Sequence, residues 1–326
     1  MIRNPQKTEE FDLFRFLAFV VAALAFPAFA AWPEKPIKVL IGYAPGGSTD
    51  VVARLIAPKL GERLGQPIII ENKPGGAGDF AAEMMLQAPA DGYTLMMSTV
   101  ALHAINPGML KQKFHPIDDF TPIALVCSYP MIMIASPQTT FKTLAELKQV
   151  TAATPLFYSS SGIGSPGHLS AELLVKATGA NLTHVPYKGG SPSTVAIMSG
   201  EAQLNFATLP AVVPQIRGAK VRAIALASRE RNPAVPDVPT MAEWGIADFD
   251  VGTWSGLIGP KGMPPEIVQR INAAVAAVVN DPAIKQRLVE EGSEIRLMSP
   301  ADFGTFIRQE NTRWVKVVKD AGIKPQ

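Results

Sequence analysis

A glycine-rich stretch in the middle of the chain has the spacing of a nucleotide-binding turn. In SSSGIGSPGHLSAELL, residues 159–174, Gly162, Gly164 and Gly167 fit the pattern G-x-G-x-x-G. Dinucleotide-binding folds follow this turn, about 20 residues later, with an acid that holds the ribose. The corresponding segment here, NLTHVPYKGG, contains no carboxylate. The sequence therefore argues against a nicotinamide or flavin enzyme, and we expect no cofactor.

The same stretch offers a serine and a histidine for nucleophilic catalysis. Ser165 and His168 are three residues apart, but Ile163 breaks the G-x-S-x-G pattern of a nucleophile elbow. No acid is evidently placed to orient the histidine. A helix-capping serine and a histidine on the helix surface or facing a cleft explain this pair better. An exported serine hydrolase stays open as the alternative.

Other side chains exclude further kinds of site. The histidines His103, His115, His168 and His184 are scattered, without an i, i+4 pair or H-E-x-x-H, so we expect no metal site. Cys127 is the only cysteine, which excludes an intramolecular disulfide. The formal net charge of +2, without a run of Lys and Arg, makes nucleic acid and anionic membranes poor partners.

Three glycine turns remain, and each joins a predicted strand to a predicted helix: APGGSTD, KPGGAG and SSSGIGSPG. Glycine lets backbone N–H groups approach a ligand, and a helix N-terminus presents unpaired donors with a partial positive charge. Parallel α/β sheets bind ligands at the carboxyl ends of their strands. Five or six hydrogen bonds of about 1.5–3 kcal/mol each would hold a carboxylate at micromolar affinity without an arginine, after the cost of association.

The N-terminal segment has the features of an export signal. Residues 16–31, FLAFVVAALAFPAFAA, form an uncharged apolar run that ends in the A-x-A pattern Ala28-Phe29-Ala30. This run is shorter than the about 20 residues that a membrane-spanning helix needs. We therefore expect residues 1–30 to be a signal peptide cleaved near Ala30, and the mature protein to be periplasmic. An N-terminal anchor is the alternative.

The elements that must position the glycine turns alternate along the chain. The strand-like run IKVLIGY precedes the first turn, and a helical pattern from Asp50 to Leu64 follows it. The dipeptides Ser165-Pro166 and Ser191-Pro192 each predict a helix start, with serine as the cap and proline in the first helical position. The alternation predicts an α/β fold in which helices flank mostly parallel sheets.

Two long uncharged runs, residues 123–136 and 251–259, bracket the middle block. We interpret them as strands that cross between two lobes and form a hinge for closure around a ligand. This interpretation predicts a discontinuous lobe 1, residues 31–128 and 253–326, and a lobe 2, residues 129–252.

Several stretches in order resemble one family: YAPGGSTDVVAR, IIIENKPGGAGD, APADGYTLMMST, SSSGIGSPGHLSAELL, VPYKGG and LPAVVPQIRGAKVRAIALAS. They resemble the substrate-binding receptors of tripartite tricarboxylate transporters, also called Bug receptors. The resemblance implies a two-lobed periplasmic binding protein of type II, a Venus flytrap rather than an enzyme. Such a receptor closes on a small carboxylate and delivers it to integral-membrane transporter subunits. We expect a monomer, and a receptor that feeds a signalling partner stays an alternative.

The resemblance also implies which residues contact the ligand. In lobe 1 they are Tyr43, Gly46, Gly47, Gly76, Ala77, Ser98 and Thr99. In lobe 2 they are Ser160, Ser161, Gly164, Ser165, His168, Tyr187, Lys188, Ala207 and Thr208.

Two positions depart from the family pattern. Where the family often has F-D-N-L-P, this chain has Phe206-Ala207-Thr208-Leu209-Pro210. Loss of the acid removes a partner for an amino group, so we expect a ligand without one: a di- or tricarboxylate or an aromatic acid. Asp79 stands where the family often has Asn or Thr, and its carboxylate would repel an anion bound at the second glycine turn.

Overall fold

The computed structural model describes residues 32–322, so the predicted signal peptide lies outside the described residues. Within this range, no helix is long and apolar enough to cross a membrane.

The first sheet begins with three strands joined by helical crossovers. In chain order these elements are β1 (Ile37–Ile41), α1 (Ser48–Leu64), β2 (Ile68–Asn72), a 3₁₀ turn (Gly76–Gly78), α2 (Asp79–Leu86) and β3 (Thr94–Ser98). β1 lies between β2 and β3 and pairs in parallel with both. Four of the five residues of β1 are buried, as expected for a central strand whose two faces are both covered.

A single long strand links the two sheets. After a π-helical turn (Ala101–Ile105) and α3 (Asn106–Met109) comes β4 (Phe120–Ala135). As far as Pro130, β4 pairs antiparallel with β9 (Gly252–Pro260) in the first sheet. From Met131 onwards it pairs antiparallel with β7 (Leu204–Thr208) and β8 (Arg222–Ala227) in the second sheet.

A second link between the sheets precedes β9. β9 itself pairs with β3 and β4 in the first sheet. Val251, the residue before it, donates its N–H to the carbonyl of Ala227 at the end of β8. Two adjacent segments therefore pass between the sheets, as the predicted fold class requires. The lobe boundaries at residues 128/129 and 252/253 stay a prediction.

The second sheet repeats the parallel arrangement. Its further elements are α4 (Leu144–Ala153), β5 (Leu156–Ser160), α5 (Pro166–Thr178), β6 (Leu182–Pro186), α6 (Gly190–Ser199) and α7 (Leu209–Arg217). β5 lies between β6 and β7 and pairs in parallel with both. The predicted α/β fold is confirmed. Both sheets are mixed, because the linking strands join them antiparallel.

One of the two predicted Ser-Pro helix starts is wrong. α5 begins as predicted, and the Ser165 hydroxyl accepts a hydrogen bond from the His168 N–H at 3.2 Å. α6 instead begins at Gly190, so Ser191 and Pro192 lie inside its first turn. Proline is tolerated there because the N–H groups of a first turn have no intrahelical partner in any case.

The C-terminal elements return to the first sheet. They are α8 (Pro265–Val279), α9 (Pro282–Glu290), β10 (Glu294–Ile295) and α10 (Pro300–Ala321). Asn272 of α8 donates to the carbonyl of Ile123 in β4 at 2.8 Å. Phe303 of α10 packs edge-on against Trp254 of β9, with 5.5 Å between ring centroids. The two ends of the described chain therefore build one sheet and its helical cover.

Candidate functional site

A small cavity lies between the carboxyl ends of the strands of the two sheets. Its volume is ≈ 40 Å³, room for only one or a few water molecules. Six of the predicted contact residues line it, and they come from both sheets: Tyr43, Gly47, Thr99, Ser161, Ala207 and Thr208.

Four helices begin at this cavity. Its lining includes Gly47, Ser48 and Thr49 at the start of α1, Pro166 of α5, Gly190 of α6, and Thr208 at the start of α7. The first N–H groups of a helix have no intrahelical partner and carry a partial positive charge. Ser165 caps α5, whereas α1, α6 and α7 have no side-chain cap among the described residues. Their free N–H groups are therefore available to an anion in the cavity.

Charged side chains are absent from the cavity lining within residues 32–322. The nearest acid along the chain, Asp50 in the first turn of α1, is paired with Arg54 at 2.9 Å. Burial raises the pKa of Asp50, but hydrogen bonds from Arg54, the Gly46 N–H and other groups outweigh it and hold the pKa below its usual range. Because Arg54 compensates this carboxylate, an anion in the cavity meets helix N-termini rather than a net negative charge.

Direct hydrogen bonds close the cavity from both sides. The Ser48 hydroxyl in α1 donates to the Thr208 hydroxyl at 2.8 Å, which joins the first sheet's helix to the second sheet's strand. Nearby, the Ala44 N–H donates to the Lys188 carbonyl at 3.1 Å. A ligand of several heavy atoms can enter only after the two sides separate.

Gly164 allows the two sides to approach this closely. A Cβ atom at this position would lie 2.3 Å from Asn106 Oδ1 in the first side. The Asn106 side chain is buried and held in place, because its Nδ2 donates to the Gly76 carbonyl at 3.0 Å and to the Asp79 carboxylate at 2.6 Å. Any side chain at residue 164 would therefore clash with Asn106, and the close packing of the two lobes requires glycine there.

The glycine spacing and the Ser165/His168 pair, which were weighed as signs of an enzyme, have structural roles here. Gly167 packs α5 against β7, since a Cβ atom there would lie 2.4 Å from the Phe206 carbonyl oxygen. The Ser165 hydroxyl caps α5, and neither Ser165 nor His168 lines the cavity. No three His, Cys, Asp or Glu side chains of the described range gather as a possible metal site.

His168 is buried and lies outside the cavity, in a stack of rings with the half-buried His184 and the buried Tyr158. Its ring centroid is 4.2 Å from that of His184, which stacks on Tyr158 at 4.7 Å. His184 Nε2 lies 2.7 Å from the Ser160 hydroxyl, and the Tyr158 hydroxyl donates to Glu172 at 2.6 Å. Burial lowers the pKa of each histidine to about 4. Both rings are therefore neutral at neutral pH, and they support the third glycine turn without adding charge.

Ten predicted contact residues lie outside the cavity lining: Gly46, Gly76, Ala77, Ser98, Ser160, Gly164, Ser165, His168, Tyr187 and Lys188. Some are already engaged, since the Ser98 hydroxyl donates to the Gly256 carbonyl at 3.2 Å and the Tyr187 hydroxyl to Glu201 at 2.7 Å. The Ala77 carbonyl accepts from the Tyr43 hydroxyl at 2.9 Å, and Lys188 is exposed. Their contact with a ligand stays a prediction.

Asp79, the acid expected to repel an anion, does not line the cavity. Its carboxylate accepts hydrogen bonds from Asn106 at 2.6 Å and from Gln112 at 3.0 Å. Burial raises the pKa of Asp79 above its usual range, although these hydrogen bonds lower it. The second glycine turn lies outside the cavity lining and supports Tyr43, whose hydroxyl donates to the Ala77 carbonyl.

Sequence reasoning missed ten lining residues: Ser48, Thr49, Tyr129, Met131, Pro166, Gly190, Ser193, Asn205, Phe206 and Thr253. Tyr129 and Met131 of β4 and Thr253 of β9 form what we call the cavity floor. In the sequence they lie in apolar runs that are typical of core strands. Only their position where the strands pass between the sheets brings them to the cavity. For Ser48 and Thr49, in contrast, the adjacent first glycine turn indicates a place in the lining.

A larger groove of ≈ 940 Å³ lies against α10. Its rim carries acids and bases together, including Asp250, Arg229 and Arg313, and it contains none of the predicted contact residues. The smaller cavity is the better candidate, because the glycine turns and uncapped helix N-termini meet there.

Comparisons with known proteins agree with this geometry. The family described as "Tripartite tricarboxylate transporter family receptor" matches residues 52–323. Protein BugT of Bordetella pertussis is 31% identical over 308 residues, which are 93% of this chain and 94% of BugT. The solved periplasmic binding protein BugD is 31% identical, with a TM-score of 0.87 over 90% of this chain and 100% of BugD.

Two further solved structures contain carboxylates. A protein of Rhodopseudomonas palustris with adipate is 35% identical, with a TM-score of 0.87 over 90% of this chain and 100% of that protein. MatC of Rhodopseudomonas palustris with bound malate is 34% identical, with a TM-score of 0.84 over 88% of this chain and 100% of MatC. The matched family consists of transporter receptors and BugD is a periplasmic binding protein, so the chain belongs to a family of binding receptors rather than enzymes.

The hydrogen bond between Ser48 and Thr208 predicts a covalent trap for the closed state. We expect the double variant Ser48→Cys/Thr208→Cys to form a disulfide on mild oxidation, because the two hydroxyl oxygens lie 2.8 Å apart. Cys127 is buried, and burial raises the pKa of its thiol to about 12, so it should not compete. Mass spectrometry after alkylation measures the bond, and each single variant is a control. Alkylation of the two introduced thiols in the oxidised double variant, in addition to the single thiol of Cys127, would contradict the closure.

The histidine stack predicts a loss of stability in weak acid. The folded protein keeps His168 and His184 neutral down to a pKa of about 4, whereas an unfolded histidine takes up a proton near pH 6.5. The unfolded state therefore binds more protons between these values, and the free energy of unfolding falls as the pH decreases from about 6.5 to 4.

Urea unfolding at several pH values measures this slope. His168→Gln should flatten it, whereas His115→Gln, at an exposed position, is the control and should keep the wild-type slope. Identical slopes for wild type and His168→Gln would contradict this role of the stack.

Proposed function

The chain belongs to the tripartite tricarboxylate transporter receptor family, whose members are periplasmic solute receptors, and we propose that it closes on a small carboxylate without an amino group. One observation carries this proposal. The uncapped N-termini of α1, α6 and α7 meet, from both sheets, at a cavity whose described lining has no charged side chain. Such a site stabilises one negative group by hydrogen bonds and helix dipoles.

The strength of these interactions is sufficient for a receptor. A hydrogen bond to a charged group contributes about 1.5–3 kcal/mol, and a helix terminus up to about 2 kcal/mol in partly buried geometry. Micromolar affinity needs about 8 kcal/mol, so a few such contacts suffice even after the cost of association. Because the donors come from both sides, a bound carboxylate also holds the two lobes together.

The chemistry of the relatives supports the same ligand class. Adipate and malate, found in two relatives, are both dicarboxylates without an amino group. In this chain Ala207 lines the cavity, and no described lining residue carries an acid that could pair with an ammonium group. Binding of an amino acid would leave its charged ammonium group unpaired in a buried site, which is costly.

Family membership supports the biological setting that we propose. We expect export by a signal peptide cleaved near Ala30, and delivery of the acid to integral-membrane transporter subunits by a monomeric receptor. The apolar run at residues 16–31 supports export.

Matched pairs of acids test the proposal. The mature protein, freed of bound ligand by unfolding and refolding, is heated with succinate or aspartate and with glutarate or glutamate. A ligand that binds only the folded state raises the melting temperature by mass action. We expect the amine-free acid of at least one pair to raise it by several degrees and the amino acid to have little effect. No response to any carboxylate would contradict the proposal.

The variant Ala207→Asp sharpens this test. It places a carboxylate in the cavity lining, so it should weaken binding of the amine-free acid and favour its amino-acid partner. Stronger binding of the amine-free acid would contradict the role given to Ala207.

A further inference from the structure

The cavity floor contains a buried hydroxyl that has no partner. Thr253 is 4% exposed and lines the cavity. Within the described residues, Thr253 Oγ1 has no hydrogen-bond partner. It lies on β9 directly opposite Tyr129 of β4, and side chains paired in this way share one face of a sheet. The cavity floor lies on that face of the sheet.

Neighbouring polar groups of the cavity are satisfied within the protein. The Tyr129 hydroxyl lies 2.8 Å from the Ser255 hydroxyl. Asn205 donates to the Ser193 hydroxyl at 3.1 Å, and Ser48 donates to Thr208. The unpartnered state of Thr253 is therefore not a general property of the cavity.

An unpartnered buried hydroxyl has a cost that valine would avoid. Leaving a buried donor unsatisfied costs about 1–3 kcal/mol. Valine has nearly the same shape as threonine and suits a buried strand equally well. A threonine at this position is therefore best explained by a hydrogen-bonding group that comes from outside the chain and enters the cavity.

We propose that the Thr253 hydroxyl binds a second oxygen-bearing group of the acid, a second carboxylate or a hydroxyl, and thereby selects di- and hydroxycarboxylates over acids with an apolar far end. This inference rests on the proposed function, in which helix N-termini hold the first carboxylate. Met131 and Phe206, which also line the cavity, offer apolar contact to the carbon chain between the two groups. Thr253 is thus a specificity-determining residue.

Calorimetry with acids of equal chain length tests the inference. The pairs are succinate and butyrate, glutarate and pentanoate, and adipate and hexanoate. For a pair whose diacid binds, we expect wild type to bind the diacid more tightly than the monoacid. Thr253→Val should lower the affinity for the diacid about 10- to 100-fold and leave that for the monoacid unchanged. Thr253→Ser keeps the hydroxyl and should retain most of the affinity.

Two controls separate this role from a structural one. Thr151 is also buried, but its hydroxyl donates to the Leu147 carbonyl inside α4 at 2.9 Å, so Thr151→Val should bind like wild type. Without ligand, Thr253→Val should be at least as stable as wild type, because it removes an unsatisfied group. A structural hydroxyl would instead give a lower melting temperature.

The outcomes distinguish this inference from the proposed function. If Thr253→Val binds the diacid as wild type does, or loses the same factor for both acids of a pair, the inference is wrong and the proposed function stands. Equal wild-type affinity for the diacid and the monoacid also overturns it. If wild type binds none of these acids, the inference is wrong. The proposed function fails with it only if no carboxylate raises the melting temperature.

Discussion

The fold places uncapped helix N-termini from two sheets at one small cavity, and the described lining of that cavity carries no charged side chain. Each N-terminus presents free N–H groups and a fraction of a positive charge. An anion in the cavity is stabilised only when donors from both sides reach it. Binding of the anion and closure of the two sides are therefore coupled. Much of the surrounding structure positions these helix N-termini at the cavity.

The residues around the cavity add no net charge that would cancel the partial positive charge of the helix N-termini. Arg54 compensates Asp50 in the first turn of α1, and amide groups hold Asp79 outside the cavity. Burial keeps the stacked histidines neutral behind the third turn. Because charge is balanced or removed nearby, the polarity inside the cavity comes from backbone dipoles and hydroxyl groups.

The sequence predicted the parts of the fold that have local signatures. The alternation of strands and helices, the start of α5 at Ser165-Pro166 and the glycine turns all depend on residues close together in the chain. Of the contacts that the family resemblance implied, six lie at the cavity: Tyr43, Gly47, Thr99, Ser161, Ala207 and Thr208. The lobe boundaries and the ligand contacts themselves stay predictions.

The floor could not be predicted in the same way. Met131 and Thr253 are distant in sequence and lie in runs typical of core strands, and the β4–β9 pairing brings these runs side by side. The predicted start of α6 at Ser191-Pro192 is wrong because proline fits other positions in a first turn besides the first one. A sequence pattern cannot show which buried side chain lacks a hydrogen-bond partner. At Thr253 the missing partner is the observation on which its proposed role in ligand selection rests.

Amide spectra during a titration test the central claim most directly. The isotope-labelled mature protein is titrated with the dicarboxylate that raises its melting temperature most, and backbone ¹H–¹⁵N signals are followed. We expect the N–H protons of Ser48, Gly190 and Leu209, the first residues of α1, α6 and α7, to shift downfield together as they form hydrogen bonds to the carboxylate. Shifts confined to the groove near Arg229 and Arg313 would place the anion on charged side chains and contradict the account.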